Sequence, residues 1–164
     1  MLGLGIFLGL GSSAEQAVLG GDMFKSAIKA NDQSVTNSTT YVSDADLQFP
    51  IGANETWLVE WDIRITSTSA GGHKTRVDTP SGCSGDLTFE IYQDTGGPIL
   101  ANAGLGLGTT LGTSGATTYV YHLRATIVNG ATPGTVALQF AQGVANGTPT
   151  IQKANSSMFA AKVG

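Results

Sequence analysis

His73 and His122 are the only histidines in the chain and Cys83 its only cysteine, so acid–base or nucleophilic chemistry must run through these three. A nucleophile needs a base within hydrogen-bond reach. His122 lies in an alternating stretch beside Arg124 and reads as a solvated or subunit-contact histidine. His73 follows Gly71-Gly72, and Cys83 sits in Ser81-Gly82-Cys83-Ser84-Gly85; both have loop-like surroundings, and nothing in the spacing joins them. Asp44 and Asp46 point to the same side of an extended chain and form a possible cation pair. Two carboxylates alone are weak metal ligation. Glu60 and Asp62 share a face in the same way, as the polar side of a strand does. Gly104-x-Gly106-x-Gly108 lacks the Lys-Ser/Thr pair and the βαβ setting of a phosphate-cradling loop. Trp57 and Trp61 are spaced like a sugar-stacking platform, but they alternate with Val59 and Ile63 and so read as core. No catalytic, cofactor-binding or metal residue is assigned, and a non-enzymatic protein is expected.

The elements that would position these side chains are strands. Trp57, Val59, Trp61, Ile63 and Ile65 fall on one side of a period-2 pattern, with Leu58, Glu60, Asp62, Arg64 and Thr66 on the other. Thr118 to Gln142 reads as a hairpin. Its oily set is Tyr119, Tyr121, Leu123, Ala125 and Ile127, then Val136, Leu138 and Phe140 after the turn at 129–134. Shorter strands are expected over 23–30, 41–49, 87–92 and 157–163. Residues 67–86 and 93–117 read as long glycine-rich loops, where partner contacts concentrate. A sheet with one apolar face must be covered by a second layer. The expected fold is therefore all-β, an antiparallel β-sandwich formed by residues 22–164.

Residues 1–21 precede it as an apolar, glycine-rich arm carrying Leu2, Leu4, Ile6, Phe7, Leu8 and Leu10. The run is about half the ~20 residues that a membrane-spanning helix needs, so no membrane span is expected. A secretory signal fits the small residues Ser12-Ser13-Ala14 but not the absence of a preceding Lys or Arg. The favoured reading is an arm that tucks into a neighbouring subunit or partner. Each of its six large side chains contributes ~1.5–3 kcal/mol if buried, offset by ~1–2 kcal/mol per ordered residue.

Bulk composition agrees with a packing role. Charged residues are 12% of 164, about half the ~25% of ordinary soluble domains, and 23 residues are glycine. Net charge is −4 with no cluster of Lys or Arg, which argues against a nucleic-acid partner. A single cysteine rules out an internal disulfide.

Four segments carry a family resemblance: Asp32 to Thr40 leading into Asp44-x-Asp46-Leu47-x-Phe49, then Gly52-Ala53-Asn54-x-Thr56-Trp57-Leu58-Val59-Glu60. The others are Gly130-Ala131-Thr132-x-Gly134-Thr135-Val136-x-Leu138-Gln139-Phe140-Ala141-Gln142 and Ser156-Ser157-Met158-x-Ala160. Over residues 25–163 the chain resembles a small β domain of tailed-bacteriophage virion proteins, found in head decorations, minor tail proteins and tail fibres. The resemblance implies a jelly-roll-like sandwich, often trimeric, with no cofactor and no catalytic residue to carry over. A fibre domain would follow a long shaft, whereas about twenty apolar residues precede this one. The expectation is a capsid decoration (cement) protein on the head surface. It would be a homo-oligomer, with a trimer favoured, bound to the major capsid protein or another virion protein and anchored partly by the arm. The alternative is a tail or fibre module that binds a receptor or glycan through 67–86 and 93–117.

Overall fold

The computed structural model describes residues 23–93, 98–113 and 117–164. The arm, with Leu2, Leu4, Ile6, Phe7, Leu8 and Leu10, lies outside the described residues. Twelve strands and no helix form among them: β1 (Phe24–Ile28), β2 (Gln33–Val35), β3 (Val42–Ile51), β4 (Thr56–Ser67), β5 (His73–Asp78) and β6 (Ser84–Gln93) in the first half. The second half supplies β7 (Pro98–Gly106), β8 (Leu111–Thr113), β9 (Thr117–Val128), β10 (Gly134–Ala141), β11 (Thr150–Gln152) and β12 (Ser157–Lys162).

Two antiparallel sheets result. One runs β1-β12-β4-β9-β6-β7, with the short β11 bridging β2 and β4; the other runs β3-β10-β5-β8. Taken alone, β3 to β10 divide into β4-β9-β6-β7 and β3-β10-β5-β8. That is the strand order of an eight-stranded jelly roll. The remaining strands widen the first sheet beyond β4.

Alternation explains why these strands pack face to face. In β4, Trp57, Val59, Trp61, Ile63 and Ile65 are buried while the residues between them are exposed or half-exposed. β9 lies in unbroken register with β4, from Thr56↔Val128 to Ser67↔Thr117, so Tyr119, Tyr121 and Leu123 line up beside Ile65, Ile63 and Trp61. The second sheet contributes Leu47, Phe49, Val136, Leu138 and Phe140, all at most 3% exposed. The Phe49 and Trp57 rings meet with centroids 5.1 Å apart.

Several expectations are corrected. β9 and β10 are strands, but they do not form a hairpin: β9 pairs with β4 and β6, while β10 pairs with β3 and β5. The connector at 129–133 carries the chain from one sheet to the other. Asn129 holds that corner by donating from Nδ2 to the carbonyls of Gly52 (2.7 Å) and Thr132 (3.0 Å). Residues 67–86 are not one loop, because β5 and the start of β6 lie within them. Residues 93–117 likewise contain β7 and β8. The backbone turns sharply at Asn37, Asn54 and Asn155, whose φ angles are 53°, 57° and 64°. Asparagine tolerates this left-handed region better than most side chains.

Candidate functional site

The three reactive side chains are separated and each has its own packing or pairing task. His73 opens β5 inside the sandwich and is 2% exposed. Its Nε2 bonds the Tyr121 hydroxyl and its Nδ1 lies 3.3 Å from Ser67 Oγ. Ring contacts with Tyr119 (5.2 Å) and Tyr121 (5.1 Å) complete the enclosure. Burial holds its pKa down at about 3, so the ring is neutral at ordinary pH. The loop placement expected for His73 is thus corrected. The Ser67–His73 contact has the geometry of a nucleophile–base pair, but both partners are buried. Cys83 is elsewhere: its Sγ donates to Asn129 Oδ1 at 3.0 Å, and burial pushes the thiol pKa up.

Asp44 and Asp46 already face a cation. The Lys29 ammonium lies 3.0 Å from Asp44 Oδ2 and 3.4 Å from Asp46 Oδ2, with Gln33 Oε1 at 3.3 Å. Lys29 is 2% exposed and Asp44 is fully buried. The other Asp44 oxygen accepts from the backbone N–H groups of Asp46 (2.8 Å) and Leu47 (2.9 Å). Lys29 is the residue that the sequence reading missed. Its backbone bonds to Ser156 and Asn155 fix it at the end of β1, a pairing that local sequence does not encode. Among the described residues, no group of three or more His, Cys, Asp or Glu gathers around a possible ion position.

A groove of about 300 Å³ with convergent polar groups lies on the outer face of the larger sheet, lined by Glu60, Asp62, Thr88, Glu90, His122 and Arg124. Register creates it: Glu60, Arg124 and Thr88 form one cross-strand row, and Asp62, His122 and Glu90 form the next. The charges are mated within the rows. Arg124 Nε is 3.1 Å from Glu60 Oε1, and His122 Nδ1 bonds Asp62. Tyr92 donates to Glu90 at 2.6 Å, and its ring meets that of His122 in a T-shaped contact. All these side chains are solvent-facing, so the pairs are weak and adjustable. The residues expected in the core, Trp57, Val59, Trp61, Ile63, Tyr119, Tyr121, Leu123, Val136, Leu138 and Phe140, are each no more than 3% exposed.

Among known proteins, no family model and no curated protein matches the chain. Solved structures do. A chain from the structure of the infectious bursal disease virus Gt strain is 11% identical over 85% of this chain, with a TM-score of 0.20. The Gx strain gives the same identity and coverage, also with a TM-score of 0.20. A chain of the T13 IBDV particle gives 11% identity over 86% of this chain and a TM-score of 0.22. The chain spans 35–39% of the length of those matched chains. At such scores the likeness supports no functional inference. No helix of the described residues is long and apolar enough to cross a membrane.

Proposed function

We propose that the protein is a non-enzymatic virion structural protein. In its specific form, it is a capsid decoration protein that binds the head lattice as an oligomer, with a trimer favoured. The observation that carries this reading is the strand order of β3 to β10, the jelly-roll frame that builds viral capsid and lectin domains. The assignment of the reactive residues supports it. His73 fills the core, Cys83 holds a corner and the Asp44–Lys29 pair locks the β1 end, so these groups serve packing among the described residues. Its partner would be the major capsid protein or another virion protein.

Copy number per particle, from gel densitometry or imaging of assembled virions, tests the proposal. Many copies in proportion to the head lattice are expected. A handful of copies would overturn it in favour of a tail module. The outer-face groove supports that second reading, since paired acids, Arg124, His122 and Tyr92 are groups that contact sugar hydroxyls. The long loops assigned to it contain β5, β7, β8 and the start of β6. Binding of purified protein to host cells would select it.

A further inference from the structure

Glycine follows asparagine twice in the chain, at Asn129-Gly130 and at Asn146-Gly147. An asparagine side-chain amide is open to attack by the next backbone nitrogen, most of all before glycine, which puts no Cβ beside that nitrogen. Attack closes a succinimide and expels ammonia. Water then opens the ring to aspartate or isoaspartate. The two sites share this sequence chemistry but differ in their surroundings.

Asn129 is held against the reaction. It is 3% exposed, and its Nδ2, the nitrogen that would leave, donates to the carbonyls of Gly52 and Thr132. Its Oδ1 accepts from Cys83 Sγ. The side chain cannot swing toward Gly130 without breaking these three hydrogen bonds.

Asn146 lies half-buried in the β10–β11 connection, and Gly147 is exposed. Among the described residues the Asn146 Nδ2 has no hydrogen-bond partner, and neither has the Gly147 N–H. Asn146 Oδ1 accepts from the Thr148 N–H at 2.9 Å, which folds the side-chain carbonyl forward over the Gly147 peptide. That N–H is also a donor aimed at the oxygen where negative charge develops when the Gly147 nitrogen adds to Cγ.

The backbone around Asn146 is a clamp. Its N–H donates to Gln142 Oε1 (3.0 Å), and Gln142 Nε2 donates back to the carbonyls of Asn146 (3.0 Å) and Thr148 (2.8 Å). Gln142 is fully buried, and the Asn146 carbonyl also accepts from the Asn37 N–H at 3.0 Å. In isoaspartate the main chain runs through the former side chain and gains a methylene, and the residue 146 carbonyl becomes a free carboxylate. Gln142 then cannot keep both carbonyls in register, and a buried amide that loses a partner destabilises the fold.

We propose that Asn146 is a spontaneous deamidation site of the folded protein, and that its isoaspartate product opens the Gln142 clamp between the β2–β3 and β10–β11 connections. The bond from the Gly147 nitrogen to Cγ forms and the Cγ–Nδ2 bond breaks. Ammonia leaves with the Gly147 proton, and water supplies the oxygen when the ring opens. This goes beyond the decoration role and stands whether or not the protein decorates a head.

Prolonged incubation of the full chain at mildly alkaline pH, followed by peptide mass mapping and isoaspartyl methyltransferase labelling, tests it. Product at residue 146 should exceed that at residue 129 by roughly tenfold or more, because reaction at Asn129 must await local opening. In concentrated urea the two sites should react alike. No product at residue 146 in the folded protein, or equal product at both sites, would overturn the assignment. Gly147→Ala should suppress the reaction without disturbing the fold, since a Cβ there meets only Asn37 Oδ1 at 3.9 Å. The aged wild-type protein should unfold at lower urea than the fresh protein. Asn146→Asp, which has the aspartate but not the added methylene, should match the fresh protein. Equal midpoints for fresh and isoaspartate-containing protein, or an equal fall in Asn146→Asp, would overturn the opening of the clamp.

Discussion

Lys29 shows how much one residue can organise. An ammonium that is 2% exposed, between a fully buried carboxylate and a half-exposed one, is maintained only while its partners stay in place. Removing one member of a buried pair strands the other, at a cost of about 3–5 kcal/mol. Lys29→Met should lower the urea unfolding free energy by that amount, and adding Asp44→Asn should recover a large part of it. The neutral amide would keep its carbonyl aimed at the N–H groups of Asp46 and Leu47 that the Asp44 carboxylate now caps. Equal losses in the single and double variants would show that the pair is not coupled. His73 acts through protons instead. Burial holds its folded pKa at about 3, below the 6.5 of the unfolded chain. The unfolded state therefore takes up the proton first, and stability present above pH 6.5 is lost as pH falls toward 3. The expected loss is roughly 3 kcal/mol by pH 4, at about 1.36 kcal/mol per pH unit. Urea titrations across that range should show it, and His73→Leu should flatten the slope. Glu55 adds a second window. Its bonds from Lys162, Trp57 and Gly52 depress its pKa from 4.5 to about 2, so its contribution fades as pH falls between those values.

At the scale of elements, close backbone approach matters as much as side-chain alternation. Gly85 sits at φ 145° where β6 starts against β9, and a Cβ there would fall 1.8 Å from Thr126 O. Gly85→Ala should cost more than about 2 kcal/mol, read as a shifted denaturation midpoint, because the clash is with backbone. An unchanged midpoint would mean that the two strands separate freely at that end. β4 was legible in sequence because its buried side carries two tryptophans among β-branched residues and its outer side carries charges. β5 was not, because its buried side is His73, Thr75 and Val77, polar enough to pass for a loop. β7 and β8 were hidden by Gly104, Gly106 and Gly112, which erase the apolar alternation. The partners of β9 and β10 were misread for a different reason. Two apolar-faced strands joined by a short turn fit a hairpin and a sandwich corner equally well, and the Asn129 bonds that decide for the corner reach Gly52, 77 residues away. The Lys29–Asp44 pair escaped on the same ground, as a contact between elements.

For the whole molecule, the consequence of this connectivity is kinetic. β3 pairs with β10 and β4 with β9, and β1 finds its partner β12 across almost the entire described chain. Little of either sheet forms between strands adjacent in sequence, although β6 and β7 are one such pair. Loop closure must therefore precede most of the stabilising contacts, and chains with this arrangement fold in about milliseconds to seconds. Trp57 and Trp61 report the event directly, since both are 1% exposed on β4 and lie between the sheets. Stopped-flow refolding followed by tryptophan fluorescence should show its main change on that slow scale. A β9–β10 hairpin, locally easy, would have to come apart before β10 could cross to β3 and β5, so early strand pairing there delays folding. Mutations that favour such a turn, such as Ala131→Gly after Gly130, should slow the main phase while leaving unfolding rates unchanged. A faster main phase in that variant would mean that the corner between the two sheets, not the distant pairings, limits the rate.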